Sequence, residues 1–78
     1  MPYPEVSRAD QERFLRLLRA VREERGLRQE DLARVLHRSQ SYVSKAEAGE
    51  LRLNFLEVRR FCQALGVSFE GFVRRFER

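Results

Sequence analysis

Cysteine and histidine each occur once in this 78-residue chain, as Cys62 and His37, so an internal disulfide and a multi-cysteine zinc site are both excluded. Pro2 and Pro4 are its only prolines, and both precede the first periodic segment, leaving the rest free of helix breakers of that kind. No run of about 18 uncharged apolar residues exists, which excludes a membrane-spanning helix, and the opening MPYPEVSRAD lacks the apolar stretch of a secretory signal. The expectation is a soluble, cytoplasmic protein. No strong bias to one charge exists either: 16 Lys+Arg face 12 Asp+Glu for a net charge of +4, and Lys45 is the only cation that is not arginine. There is no basic tail, so a polyanion can be bound only if a folded surface gathers the scattered arginines; charge alone equally describes solvated helix faces.

What is present is a chain 42% hydrophobic, too apolar for a disordered tail and too short for two domains. One domain over residues 1–78 is expected, with residues 1–7 a short N-terminal arm. A core of this size is marginal, and oligomerisation is a natural supplement. Apolar residues recur at three- and four-residue steps, and no segment alternates for long, so the fold class is all-α.

Ser7 and Asp10 form a capping pair for a first helix running to about Arg25, with Phe14, Leu17, Leu18 and Val21 on one stripe and Gly26 as the stop. A second helix over Gln29–Leu36 carries Glu30 and Asp31 in its first turn, at the positive end of the helix dipole. His37–Ser39 form a three-residue break. Ser39 caps a third helix, Gln40–Ala48, ended by Gly49; Asn54 and Glu57 open a fourth, which turns Val58, Phe61, Cys62 and Leu65 inward and stops at Gly66. Ser68 caps a fifth, with Phe69, Phe72, Val73 and Phe76 on one stripe.

Residues 29–48 are the informative segment: an eight-residue helix, a three-residue turn and a nine-residue helix, neither helix long enough to stand alone in water. In RxxxGLxQEDLA (Arg22–Ala33), SQSYVSKAEAGE (Ser39–Glu50) and ALGVS (Ala64–Ser68) the chain resembles the Xre/Cro/cI-type helix-turn-helix transcriptional regulators, over about Leu17–Phe72. The resemblance implies a compact five-helix, lambda-repressor-like DNA-binding domain, usually dimeric, whose third helix enters the major groove. It also implies a partly buried ion pair between Arg22 and Glu47, and a phosphate held at Gln29. Three positions depart from the family pattern: His37 replaces a glycine expected at φ > 0, Arg38 replaces an apolar residue, and Arg28 replaces a Ser/Thr cap.

At about 100° per residue, Ser41, Ser44, Lys45 and Ala48 fall on an arc that runs from Gln40 round to roughly 140°, whereas Val43, Ala46 and Glu47 fall outside that arc, on the core side. The polar arc has base-reading chemistry: Gln40 suits adenine N6 and N7, Lys45 suits guanine O6 or N7, and Ser41 and Ser44 suit several base edges. Arg28, Gln29, Arg38, Ser39, Tyr42, Arg52 and Asn54 are candidate phosphate contacts. Tyr42 lies on the helix flank, where it has two options, the DNA backbone or packing on the second helix.

Cys62 is expected in the core and His37 in the turn, and no catalytic constellation assembles, so neither an enzyme nor a cofactor is expected. The phenylalanine stripe exceeds what one short helix needs for docking, and Phe69, Phe72, Phe76, Leu51 and Phe55 are the expected dimer contacts. The leading expectation is a homodimer that binds double-stranded DNA, reads a palindromic operator, and acts by occupying it or contacting RNA polymerase. The competing one is an antitoxin-like interaction module that binds a toxin-like partner through the same phenylalanines.

Overall fold

The computed structural model describes residues 5–78, so Met1–Pro4, more than half of the expected N-terminal arm, lie outside the described residues. Five helices follow one another: α1 (Arg8–Glu24), α2 (Gln29–Leu36), α3 (Gln40–Ala48), α4 (Phe55–Leu65) and α5 (Phe69–Glu77). Four start on the caps expected of them, each satisfying an otherwise orphaned backbone N–H. Ser7 Oγ accepts from Asp10 N, Ser39 Oγ from Tyr42 N and Ser68 Oγ from Gly71 N, while Asn54 and Glu57 close a reciprocal box of 2.8 and 2.9 Å. The exception is α2. Arginine has no acceptor to offer, and instead Asp31 reaches back to accept from the Arg28 backbone N–H at 2.9 Å.

Each of the first four helices ends on a tight turn in which the chain doubles back to bond the last carbonyls, as Arg38 N does to Ala33 O. His37 takes φ 56° and ψ 41°, the left-handed conformation expected of a position where the family has glycine. Gly49 takes φ 80°, where glycine is favoured, and a Cβ there would also stand 2.9 Å from Leu15 Cδ1 of α1, which would have to shift.

The core joins Leu18 and Val21 of α1, Leu32, Ala33 and Leu36 of α2, Val43 and Ala46 of α3, Phe61, Cys62 and Leu65 of α4, and Phe72 of α5. α2 and α3 are the most extensively packed pair of helices, and the small Ala33 of α2 is buried in the core. α1 packs on both α3 and α5: its Arg19 and Arg22 meet Glu47 of α3, and its Phe14 meets Phe72 of α5. A bidentate Arg75–Glu24 pair at 2.8 Å ties α5 to α1, and Arg13 donates to the Phe76 carbonyl while covering the Phe76 ring. No described helix is long and apolar enough to cross a membrane.

Candidate nucleic-acid interface

α3 divides along its length as its periodicity predicts. Val43, Ala46 and Glu47 are buried, whereas Gln40, Ser41, Lys45 and Ala48 are exposed and Ser44 is half-buried. An uncovered strip of amide, hydroxyl and ammonium groups therefore runs along a helix whose opposite side is anchored to α1 and α2.

Beneath the strip lies a polar network. The Arg22 guanidinium donates to both oxygens of the fully buried Glu47 carboxylate, at 2.6 and 3.1 Å, and its remaining nitrogen donates to Leu27 O at 2.7 Å. The hydrogen bond to Glu47 holds the Arg22 pKa above its ordinary value despite the opposing effect of burial. Gln29 Nε2 donates to Glu47 Oε1 at 3.1 Å, and Gln29 Oε1 accepts from Gln40 Nε2 at 3.4 Å. Interior and strip are thus joined by one chain of polar contacts, and among the described residues no buried side-chain nitrogen or oxygen lacks a partner.

The helix-turn-helix domain family model matches residues 5–71. An XRE-family like protein from Pseudomonas syringae pv. tomato str. DC3000 is 36% identical over 88% of this chain and 86% of that one, with a TM-score of 0.82. The chain belongs to the Xre family of helix-turn-helix proteins. Membership makes it a DNA-binding transcriptional regulator and not an enzyme. Its fold is shared by a variant of the restriction-modification controller protein C.Esp1396I (23% identity, 88% of this chain and 92% of that one, TM-score 0.82). The clp gene regulator ClgR from C. glutamicum has it too (24% identity, 96% and 92%, TM-score 0.76). No curated protein matches the chain.

Of the phosphate candidates on this Xre-family domain, several have work inside the protein. Arg28 is paired with Asp31 at 3.1 Å and Glu30 at 2.8 Å, which raises its own pKa and lowers that of Asp31. It is a partnered cation and reaches a phosphate only by exchanging partners. Ser39 and Asn54 spend an oxygen on their helix caps. Tyr42 is half-buried and packs on α4, a third outcome beside the two expected: its ring lies 6.0 Å from that of Phe61 and its hydroxyl is directed at Glu57 Oε2 at 3.5 Å. Burial, followed by the Glu57 charge, raises its phenol pKa. Arg38 stacks 3.8 Å above the centre of that ring, a contact that holds a long cation in place beside α3. Arg52 is exposed and borders a shallow groove with Ala48 and Gly49.

Sequence reasoning missed Arg19. Its Nε stands 3.6 Å from Glu47 Oε1, with the side chain 55% exposed, so α1 adds a cation beside Gln29. The available signal was its spacing: Arg19 lies one helical turn before Arg22, on the same face.

Away from α3, at the α4–α5 side, several large apolar side chains are exposed. Phe55 is 68% exposed, Leu56 69% and Val73 45%; Phe55 and Val73 line an open groove of about 290 Å³ with Val6, Phe14, Val58 and Phe76. Phe69 and Phe76 are half-buried, the former edge-on to Phe55 at 5.0 Å, and Leu51 is half-buried. Phe72 corrects the expected set of dimer contacts: it is 5% exposed and meets Phe14 edge-on at 6.2 Å, so it closes the core of its own protomer and is unavailable to a partner. Val6, Val35, Leu56 and Val73 are the exposed large apolar residues, among those described, that lie outside that set.

Proposed function

We propose that this regulator is a homodimer that reads a palindromic operator by placing α3 of each copy in the major groove of double-stranded DNA. The observation that carries the reading is the uncovered polar strip of α3, with Gln40, Ser41 and Lys45 exposed above a core-anchored back. Gln40 offers a carbonyl and an N–H to adenine N6 and N7, Lys45 donates to guanine O6 or N7, and Ser41 and Ser44 adapt to neighbouring edges. Gln29 at the start of α2, with Arg38, Arg52 and Arg19, sets the register on phosphates. One such helix reads only a few base pairs, so two copies with α3 helices one DNA turn apart, about 34 Å, supply the remaining specificity. The apolar area around Phe55, Leu56 and Val73 is the surface that fits a second copy. One domain occupying its operator in the cytoplasm, blocking or contacting RNA polymerase, accounts for the regulation.

Competition binding tests this. Gln40→Ala/Lys45→Ala is expected to abolish the preference for a specific duplex over a random one while helicity is retained, and the wild-type affinity is expected to fall steeply with salt as phosphate contacts release counterions. Specificity that survives the double substitution refutes the assignment of α3. The exposed phenylalanine region also favours a second reading, an interaction module for a toxin-like protein partner; an apolar contact of that kind is nearly insensitive to salt.

A further inference from the structure

Hydrogen bonds in the polar network have a direction, and that direction is dictated from its buried end. A carboxylate only accepts. Glu47, fully buried and already holding two donors of Arg22, therefore obliges Gln29 to turn its amide nitrogen inward, where Nε2 meets Oε1 at 3.1 Å. The Gln29 carbonyl must then face the other way. It accepts from Gln40 at 3.4 Å, which obliges Gln40 to turn its nitrogen toward Gln29 and leaves the Gln40 carbonyl and second N–H facing outward. Helical geometry makes this possible: Glu47 follows Gln40 by seven residues, two turns further on and offset by only about 20°, so one glutamine side chain from α2 bridges both.

We propose that Glu47 is a positioning residue for base recognition, fixing through Gln29 the order of donor and acceptor that Gln40 presents to the duplex. This rests on the reading that α3 enters the major groove, and it goes beyond the ion pair with Arg22, which by itself only anchors α3 to α1. An unrestrained glutamine amide presents either orientation at similar energy. Adenine offers an N6 donor beside an N7 acceptor, so one orientation of Gln40 matches both and the reversed one sets donor against donor and acceptor against acceptor. Arg19, whose Nε stands 3.6 Å from the same carboxylate oxygen, adds a second cation on the side where that oxygen accepts from Gln29.

The test is Glu47→Gln, which keeps the size of the side chain and an acceptor for Arg22 but adds a donor facing Gln29, permitting both glutamines to turn over. A duplex selected from a random pool by the wild type is compared with duplexes carrying each base pair substituted in turn. The expected result is a loss of at least about fivefold in preference at the A·T pair read by Gln40, with the other positions and the affinity for random duplex unchanged. In a Gln40→Ala background the same substitution is expected to change no base preference. A merely structural Glu47 would instead lower affinity at every position alike. A preference that survives Glu47→Gln, or an effect that persists without Gln40, overturns the proposal alone; a wild type without preference at any position overturns the DNA-reading function with it. If Glu47→Gln does not fold, side-chain amide exchange in the unbound wild type decides: Gln29 protons exchanging more slowly than those of exposed Gln63 support the bond to Glu47, and equal rates refute it.

Discussion

At the α3 side of the molecule, the exposed polar end of Gln40 is backed by Gln29, then by Glu47, then by Arg22, so a solvent-facing group is oriented by a buried one. At the α4–α5 side, Phe55, Leu56 and Val73 are exposed, and Phe55 and Val73 share a mainly apolar groove with Phe69 and Phe76 that Asp10 and Gln11 border. The first surface is pre-organised by hydrogen bonds, which have direction; the second consists of non-directional apolar area. That difference suits the first to discriminating among ligands of similar shape, and the second to association driven by removing area from water.

Removing the buried support of the polar surface is expected to have the largest effect. Glu47→Ala leaves Arg22 buried without its anion and should destabilise the domain by about 3–5 kcal/mol, whereas Arg22→Met/Glu47→Leu removes both charges and should cost clearly less. Urea denaturation measures both, and a double variant at least as costly as Glu47→Ala alone would contradict the account. The apolar side should divide differently. Phe72→Ala opens the core and should cost about 3–5 kcal/mol, while Phe55→Ala loses one edge-to-face contact and should cost the protomer no more than about 1.5 kcal/mol. Equal costs would erase the distinction drawn between a core phenylalanine and a surface one. Leu56→Asp leaves the protomer intact and is expected to convert a sedimenting dimer to monomer; an unchanged sedimentation coefficient would move the interface elsewhere.

Much of this was legible in the chain because short helices announce their ends. Ser7, Ser39, Asn54 and Ser68 fixed four starts, and the glycines fixed the stops, since caps act over three or four residues and need no tertiary context. His37 is a similar case, read correctly as a left-handed residue. Glycine there releases the strain, and His37→Gly is expected to stabilise the fold by about 0.5–1 kcal/mol in thermal denaturation. The polar arc of α3 was readable for the same local reason. What periodicity left hidden depends on distant partners. Tyr42 sits on the helix flank in projection, and only α4 supplies Phe61 and Glu57 to receive it. Phe72 and Phe76 share one stripe, yet only Phe72 meets α1 through Phe14 deeply enough to be core. Arg28 resembles a free cation until its own side chain is seen to turn back to Asp31 and Glu30.

Smaller effects come from titration. Burial pushes the Cys62 thiol up to about 11. The native state thus favours the neutral thiol; its contribution is complete below the ordinary thiol pKa and is lost as pH rises through about 11, so urea midpoints should fall between pH 9 and 11. Cys62→Ala should remove that component. Asp31 and Glu24 behave oppositely, because Arg28 and Arg75 hold their pKa values below the usual carboxylate range. Their contribution is present above that range and is lost as pH falls through the lowered values. The Arg75–Glu24 pair is exposed and Arg28 is exposed beside a half-buried Asp31, so solvent screening keeps the expected loss small at either side of the molecule, and carboxylate titration by NMR reads it directly.

Selection of bound duplexes from a random pool, followed by sequencing, tests most directly whether the polar strip of α3 reads DNA. The account predicts a palindromic consensus from the wild type, its half-sites about 10 base pairs apart from centre to centre. It further predicts that Gln40→Ala/Lys45→Ala enriches no consensus while still binding duplex weakly. An identical consensus from both proteins would contradict it.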